Sequence, residues 1–478
     1  MRTIAIVGAG AAGVMAAYRV RQQLGPKAEI TVFERQDRVG GRARRDQFAG
    51  AAVEFGVPAL PADGQWVKSL FALAGLKPKP GRLVPDAAGK RAGFWNGAGW
   101  TLAAKPTAGG LTAGAVRRYG PASLVRLAAV TRQTASKWNR IYDWQKSGRL
   151  FTTPAELLGA LDLADLTQVS LRHALGRSGV RGDFTSEIVS ALTRRRYAQD
   201  AGLNALAGQL GLAGTGLGGG STQMLAEGTQ TLFQQTLDRL QVELLLGRRV
   251  IRVESPDPAW RPDAPTTTRR RRSADNPTLP APSGKLTVLF KEGAKEGKDS
   301  AKDSQKRQFD AVIVAAPLEL ADLKVSAARR LVRTPPRQFQ EVHVTLVAGT
   351  PSKAYFGLGE DEPMPGTVFA ASSPKTPFLS LGVVAHSPVW DRPIWQFFTA
   401  GRSLSEATLG RVFSERLETS RFVWKGAYPV LAPGVEAAAF LLAPGVAYTN
   451  GLESAASSVD LATVAGYNAA GLVLQHLL

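Results

Sequence analysis

Three glycines spaced G-x-G-x-x-G, at Gly8, Gly10 and Gly13, separate an apolar run from a helix-like segment in IAIVGAGAAGVMAAY, residues 4 to 18. That spacing suits a phosphate-rich ligand. The first glycine permits a tight turn, the second lets backbone approach a pyrophosphate, and the third lets helix pack on strand. With only Ala9, Ala11 and Ala12 between them, the turn carries little bulk. The helix start then offers N–H groups and a positive dipole end to the phosphates. Glu34, followed by Arg35, closes the next strand at about the 20-residue distance expected of an acid that binds a ribose hydroxyl. Other chemistries have little to build on. The absence of cysteine removes disulfides, thiolate metal sites and a cysteine nucleophile. The four histidines form no H-E-x-x-H or other close pair, so no metal is expected.

The elements that must position this turn are legible in outline. TIAIV, the glycine turn with its helix, and EITVFE make a βαβ unit, the building block of a parallel sheet. Apolar spacing of three and four predicts helices over 64–76, 111–146 and 154–212, and in TQTLFQQTLDRL. FDAVIVAAP, from Phe309 to Pro317, reads as a buried strand, and EVHVTLV, residues 341–347, as a half-buried one. KLTVLF reads as a strand between two polar stretches, 255–284 and 291–308, whose composition predicts disordered loops. The fold class expected is α/β: a Rossmann-like dinucleotide domain with an inserted substrate domain of helices and a mixed sheet. The expected segments are 1–75, 221–320 and 431–478 for the dinucleotide domain, with a mainly helical 76–220 and a second inserted part at 321–430.

The 478 residues, 44% hydrophobic and 21% charged, suit a globular chain able to wrap a bulky cofactor. A net charge of +20 arises from scattered basic residues without a nucleic-acid motif. It argues for a solvated basic surface and no nucleic-acid partner, and it leaves room for peripheral contact with an anionic membrane. No run approaches the ~20 apolar residues of a membrane-spanning helix. The apolar N-terminus reads as a strand rather than a cleaved signal, which leans towards a cytoplasmic protein.

FERQDRVGGRA, residues 33–43, goes beyond a simple nicotinamide site and resembles the FAD-binding amine oxidase superfamily. The resemblance places Gly40, Gly41 and Arg42 beside the FAD pyrophosphate and ribityl chain. LGRRVIRVE resembles the strand that lays Val250 against the adenine, and VIVAAP, with Ala315, the strand that closes over the cofactor. The terminal YTNGLES…SVDLATVAGYNAA would put Gly451 and Glu453 near the phosphates, and Val459 and Asp460 at a helix start below the flavin ring.

The narrower resemblance is to the prenylcysteine oxidase (prenylcysteine lyase) family. RRYGPASL, TRRRYAQDAGLNALAG, AEGTQTL, EVHVTLV and WKGAYPVLAP carry it, with Thr229 and Gln230 standing where the family has glycine and asparagine. It implies oxidation of farnesyl- or geranylgeranyl-cysteine with molecular oxygen as acceptor. Hydride leaves the carbon beside sulfur for the flavin, water adds, and prenyl aldehyde, cysteine and hydrogen peroxide result. Family members are often lysosomal or vacuolar. Three residues are candidates for the chemistry: Arg194 as partner of the substrate carboxylate, His343 as the residue that positions water, and Tyr428 as a further polar group. Leu124, Leu127, Trp138, Ile141 and Tyr142 form a helical stripe that could line a prenyl slot or belong to plain core. Three alternatives stay open: another amine-oxidase-superfamily enzyme acting on an amine or polyene, a flavin-free prenyl-binding escort, and a nicotinamide dehydrogenase.

Overall fold

The apolar run at the N-terminus forms the strand Arg2–Val7 at the centre of a six-stranded sheet. It pairs in parallel with Ala28–Phe33 on one side and Ala311–Val314 on the other. Glu243–Leu245 and Val446–Tyr448 extend the sheet in parallel, and Leu441–Ala443 closes one edge antiparallel. Ile4, Ala5, Ile6, Val312, Ile313 and Val314 are fully buried, as strands covered on both faces require. The computed structural model describes residues 1–56, 59–81, 92–103, 110–215, 221–261, 276, 279–293, 304–373 and 375–478.

Two helices that follow sheet strands lie against each other. Ala11–Leu24 leaves the glycine turn, and Val459–Leu474 runs towards the C-terminus. They touch backbone to backbone, because any side chain at Gly466 would collide with the carbonyl of Ala12. This contact sets both helix starts at one end of the sheet. A cation–π contact reinforces it: the Arg19 guanidinium lies 4.0 Å from the centre of the Tyr467 ring and donates to the Tyr467 carbonyl at 2.6 Å.

The helical layer is led by Pro121–Lys146, a helix of 26 residues. Its buried face reaches the C-terminal helix through Asp460, which accepts from Trp138 Nε1 at 2.9 Å and from Tyr142 OH at 2.6 Å. Leu127, Trp138, Ile141 and Tyr142 are therefore core, and Leu124 packs on the same cluster. A seven-stranded sheet forms the other side of the molecule, in the order Phe413–Pro429, Phe339–Pro351, Arg392–Ala400, Ser380–Ser387, Thr367–Ala370, Ala92–Trp95 and Trp100–Ala103. Among the described residues, no helix is long and apolar enough to cross a membrane.

The two loops expected to be disordered are corrected in part. Arg248–Ser255, Leu286–Glu292 and Gln305–Phe309 form consecutive strands of a five-stranded sheet. Thus Ser255, Lys291, Glu292 and residues 305–308 are ordered. QKRQF looks unstructured because its first four side chains face solvent, yet its backbone pairs from Gln305 to Phe309 with the neighbouring strand. Asn276 is pinned as well: its Oδ1 accepts from the Leu150 amide and its Nδ2 donates to the Gly148 carbonyl. Leu279 is buried. Residues 262–275, 277–278 and 294–303 lie outside the described residues.

Candidate active site

A cavity of about 690 Å³ opens where the six-stranded sheet meets the seven-stranded one. That volume falls within the ~300–1,000 Å³ typical of ligand sites. Its floor is the glycine turn: Gly8, Gly10, Ala11 and Ala12 line it, with Glu34, Arg35, Gly40, Gly41 and Arg42 beside them. Val250 and Ala315 line it from neighbouring strands, and Ser458 and Val459 from the start of the C-terminal helix. Arg194 and Tyr428 face it from the helical layer and the seven-stranded sheet.

The two glycine turns leave a cradle. A side chain at Gly13 would strike the carbonyl of Gly8, so that position serves helix-on-strand packing. A methyl on Gly10, by contrast, would meet nothing nearer than Gly41 Cα at 3.9 Å and the Gly40 carbonyl oxygen at 4.0 Å. The space beside Gly10 and Gly41 is thus open to a ligand's backbone-hugging group. The helix Ala11–Leu24 starts there with no side-chain cap and no acidic residue in its first turn, which leaves its positive end for an anion.

Glu34 holds this turn in place. Its Oε2 accepts from the Ala9 amide at 2.9 Å and its Oε1 from the Gln36 amide at 2.9 Å. Each carboxylate oxygen can accept more than one bond, so a ribose hydroxyl can still be received. Ala9 itself does not line the cavity; its role is this bond. Arg35 Nη1 donates to the Leu320 carbonyl at 3.0 Å.

Glu453 stands behind the cavity wall instead of in it. It pairs with Arg42 and lies 3.5 Å from Arg337 Nη1, with side-chain exposures of 8% for Glu453 and 5% for Arg337. Burial alone would raise its pKa, but the two guanidiniums outweigh that and hold it below the usual carboxylate range. Arg337 in turn grips Glu319 through two bonds of 2.8 Å. A buried ion network therefore fixes Arg42, whose Nη1 also donates to the Ala427 carbonyl. Gly451 packs against the Ala438 carbonyl and does not line the cavity. Asp460 likewise turns into the core, although the helix start beside it faces the cavity.

His343 does not face the site. Successive side chains of a strand point to opposite faces, and on Phe339–Pro351 it is Val342 that lines the cavity. The His343 ring lies behind, with Nδ1 2.8 Å from Ser403 Oγ and Nε2 2.7 Å from Glu341 Oε1. The expectation that it positions water over a cofactor is corrected accordingly.

Arg194 and Tyr428 both line the cavity. Arg194 sits in the last turn of the helix Ser190–Tyr197, and its Nε is buried without a hydrogen-bond partner. Burial lowers its pKa, partly offset by Asp200. Tyr428 lies edge-on to Tyr197, with ring centroids 5.7 Å apart, and burial pushes its hydroxyl up. The walls add groups that the sequence did not single out: Arg195, Leu379, Phe398, Phe422 and Trp424. The alternation in RFVWKGAY, near the end of the strand Phe413–Pro429, was the available signal for Phe422 and Trp424. Among the described residues, no group of three or more His, Cys, Asp or Glu side chains could hold a metal.

Comparison with known proteins agrees with this geometry. Residues 6–73 match the model of an NAD(P)-binding Rossmann-like domain. Farnesylcysteine lyase of Arabidopsis thaliana is 26% identical, with 100% of this chain and 89% of the relative covered. Prenylcysteine oxidase 1 of Bos taurus is also 26% identical, covering 98% and 87%. Among solved structures, a triple mutant of putrescine oxidase superposes with a TM-score of 0.61 at 18% identity, covering 98% of each chain. Cyclohexylamine oxidase from Brevibacterium oxydans IH-35A gives 0.60 at 14% identity, covering 100% and 99%. At those identities the likeness is one of fold. Residues 113–478 match the model of the prenylcysteine lyase family, and the chain belongs to that family.

Proposed function

We propose that this chain is an FAD-dependent thioether oxidase that cleaves farnesyl- or geranylgeranyl-cysteine. The observation that carries the proposal is one cavity lined both by a dinucleotide cradle and by an aromatic wall with an arginine. FAD, when bound, supplies the two-electron chemistry that converts a prenylcysteine, water and dioxygen into prenyl aldehyde, cysteine and hydrogen peroxide.

The protein's part is to bind, orient and exclude. Gly10 and Gly41 admit the pyrophosphate, and the start of the helix Ala11–Leu24 stabilises its charge. Glu34 would receive a ribose hydroxyl, and Val250 would pack on the adenine. The start of the helix Val459–Leu474, which lines the cavity, would favour negative charge on a flavin ring bound there. Arg42 is held in place by Glu453, so its charge stays at the cofactor. Val342, Leu379, Phe398, Phe422 and Trp424 supply an apolar wall for the prenyl chain and keep bulk water from it. Arg194 binds the carboxylate of the cysteine, and Tyr428 orients the head group beside it. The net charge of +20 favours peripheral contact with an anionic membrane, where a prenylated substrate would partition.

The test is direct. The purified, FAD-loaded protein should show flavin absorption bands. It should release peroxide and prenyl aldehyde from farnesylcysteine but no peroxide from a panel of primary amines. Peroxide from amines alone, or a protein that stays colourless after FAD addition, would sink the proposal.

A further inference from the structure

The cavity is lined by many guanidiniums, and nearly all of them are already engaged. Arg42 is paired with Glu453, Arg44 with Asp46 and Arg248 with Glu292. Arg38 is spent on three carbonyls, those of Val39, Gly41 and Ala43. Arg194 and Arg195 are different. Neither has a carboxylate within ion-pair reach among the described residues, and Arg194 Nε is buried with no partner at all. Two adjacent, half-buried cations without an ion-pair partner, Arg194 with only Asp200 acting on it from beyond that reach, cost free energy unless an anion completes them.

Arg195 is also built into a seat. Its Nη1 donates to Ser380 Oγ at 3.0 Å, and that serine is fully buried. Its guanidinium lies 6.0 Å from the Phe369 ring centre and 5.7 Å from that of Phe398, which itself lines the cavity. These contacts come from three strands of the seven-stranded sheet, on the apolar wall of the cavity and not on the glycine cradle. Desolvation lowers the pKa of Arg195 to about 10, which still leaves it charged at neutral pH. A planar guanidinium clamped by a hydroxyl and aromatic faces is pre-organised to receive a planar anion.

We infer that Arg194 and Arg195 together form a carboxylate subsite, in which Arg195 selects the free acid over its uncharged derivatives and Ser380 is its positioning residue. The identity of the carboxylate as that of a prenylcysteine rests on the proposed function; the subsite itself does not. Its consequence is specificity. Through Arg195 the site discriminates against the same amino acid when its carboxyl is amidated or esterified.

The experiment uses the FAD-loaded, full-length protein and two probes of equal chain length, dodecanoate and dodecanol, measured by equilibrium dialysis. Dodecanoate should bind tighter by about tenfold or more, as expected for a charge-assisted, two-guanidinium site. Arg195→Met should abolish most of that preference while the affinity for dodecanol stays close to wild type. Arg195→Lys should keep part of it, and Ser380→Ala should narrow it. In turnover, farnesylcysteine should exceed its carboxamide in kcat/KM by a similar factor, and Arg195→Met should bring the acid down to the carboxamide's level. Equal affinity of the wild type for both probes overturns the inference, as does a folded, yellow Arg195→Met variant that keeps the preference. Should Arg195→Met fail to fold, the wild-type ratio and Ser380→Ala still decide. A dodecanoate preference without peroxide from farnesylcysteine would sink the proposed function and leave the subsite standing.

Discussion

The carboxylate of Glu34 reaches back across 25 residues to bond the Ala9 amide at 2.9 Å, so the acid that closes the second strand also fixes the glycine turn of the first. Both halves of the dinucleotide cradle therefore depend on one side chain. Glu34→Ala should weaken FAD binding by about ten- to a hundredfold, the equivalent of ~1.5–3 kcal/mol for bonds to a charged group. Glu34→Gln, which can still accept from Ala9, should fall between. Flavin fluorescence on titration with FAD measures this. An unchanged Kd in Glu34→Ala would remove the residue from the cofactor site.

The sequence made this part of the molecule legible because its signals are local. A G-x-G-x-x-G turn, an acid at fixed distance and an apolar strand are each read within about 35 residues. The cavity's other wall is built from pairings that no local window contains. Val342 faces the cavity and His343 faces away only because of the register in which Phe339–Pro351 is paired, from Val342↔Ala400 on one side to Val342↔Trp424 on the other. A period of two tells which residues share a face, but not which face is inside. Arg195 was hidden for a related reason. In the run Arg194–Arg195–Arg196 nothing local distinguishes a solvated helix end from cations seated against buried strands. The polar strand Gln305–Phe309 was missed because composition reports side chains, while the pairing is made by the backbone.

Glu453 sits between Arg42 and Arg337 with 8% exposure. Replacing it by glutamine takes the carboxylate from buried Arg337, which keeps Glu319, and from Arg42, which is 34% exposed, so the cost falls below the ~3–5 kcal/mol of a fully buried pair that loses one partner. Glu453→Gln should therefore melt below wild type and lose flavin on dilution. Because the native pKa of Glu453 lies below its unfolded value, its contribution is complete above the ordinary carboxylate range and fades as pH falls through the native pKa. The gap in Tm between variant and wild type should accordingly narrow towards acid pH. A gap that does not depend on pH would mean the carboxylate's charge is irrelevant.

His343, with both ring nitrogens engaged by Ser403 and Glu341 away from the cavity, should be dispensable for turnover. His343→Ala should keep kcat/KM within about threefold of wild type. It should lose about 1–2 kcal/mol of stability for the bonds removed. Steady-state peroxide assays with a thermal melt separate the two effects. A hundredfold loss of kcat in a protein with unchanged Tm would return His343 to the reaction.

Glu54 supplies a pH signature in the opposite sense. It closes the strand Ala51–Glu54, and its Oε1 accepts from the Thr229 amide at the start of the helix Thr229–Leu240. Its Oε2 is buried without a partner. Burial raises its pKa from 4.5 to about 7, although the Thr229 amide and Arg45 pull the other way. Between those two values the folded chain holds a proton that the unfolded chain has lost, so stability falls as pH climbs from about 4.5 to about 7 and levels off above. The full shift corresponds to at most about 3 kcal/mol. Glu54→Gln keeps an acceptor for Thr229 and cannot ionise. It should therefore be more stable than wild type at pH 8, by up to that amount, and nearly coincide with it at pH 4. Urea unfolding at the two pH values tests the claim. A variant equal to wild type at both would mean that the carboxylate finds solvent or a cation when it ionises, and that the start of this helix carries no buried proton.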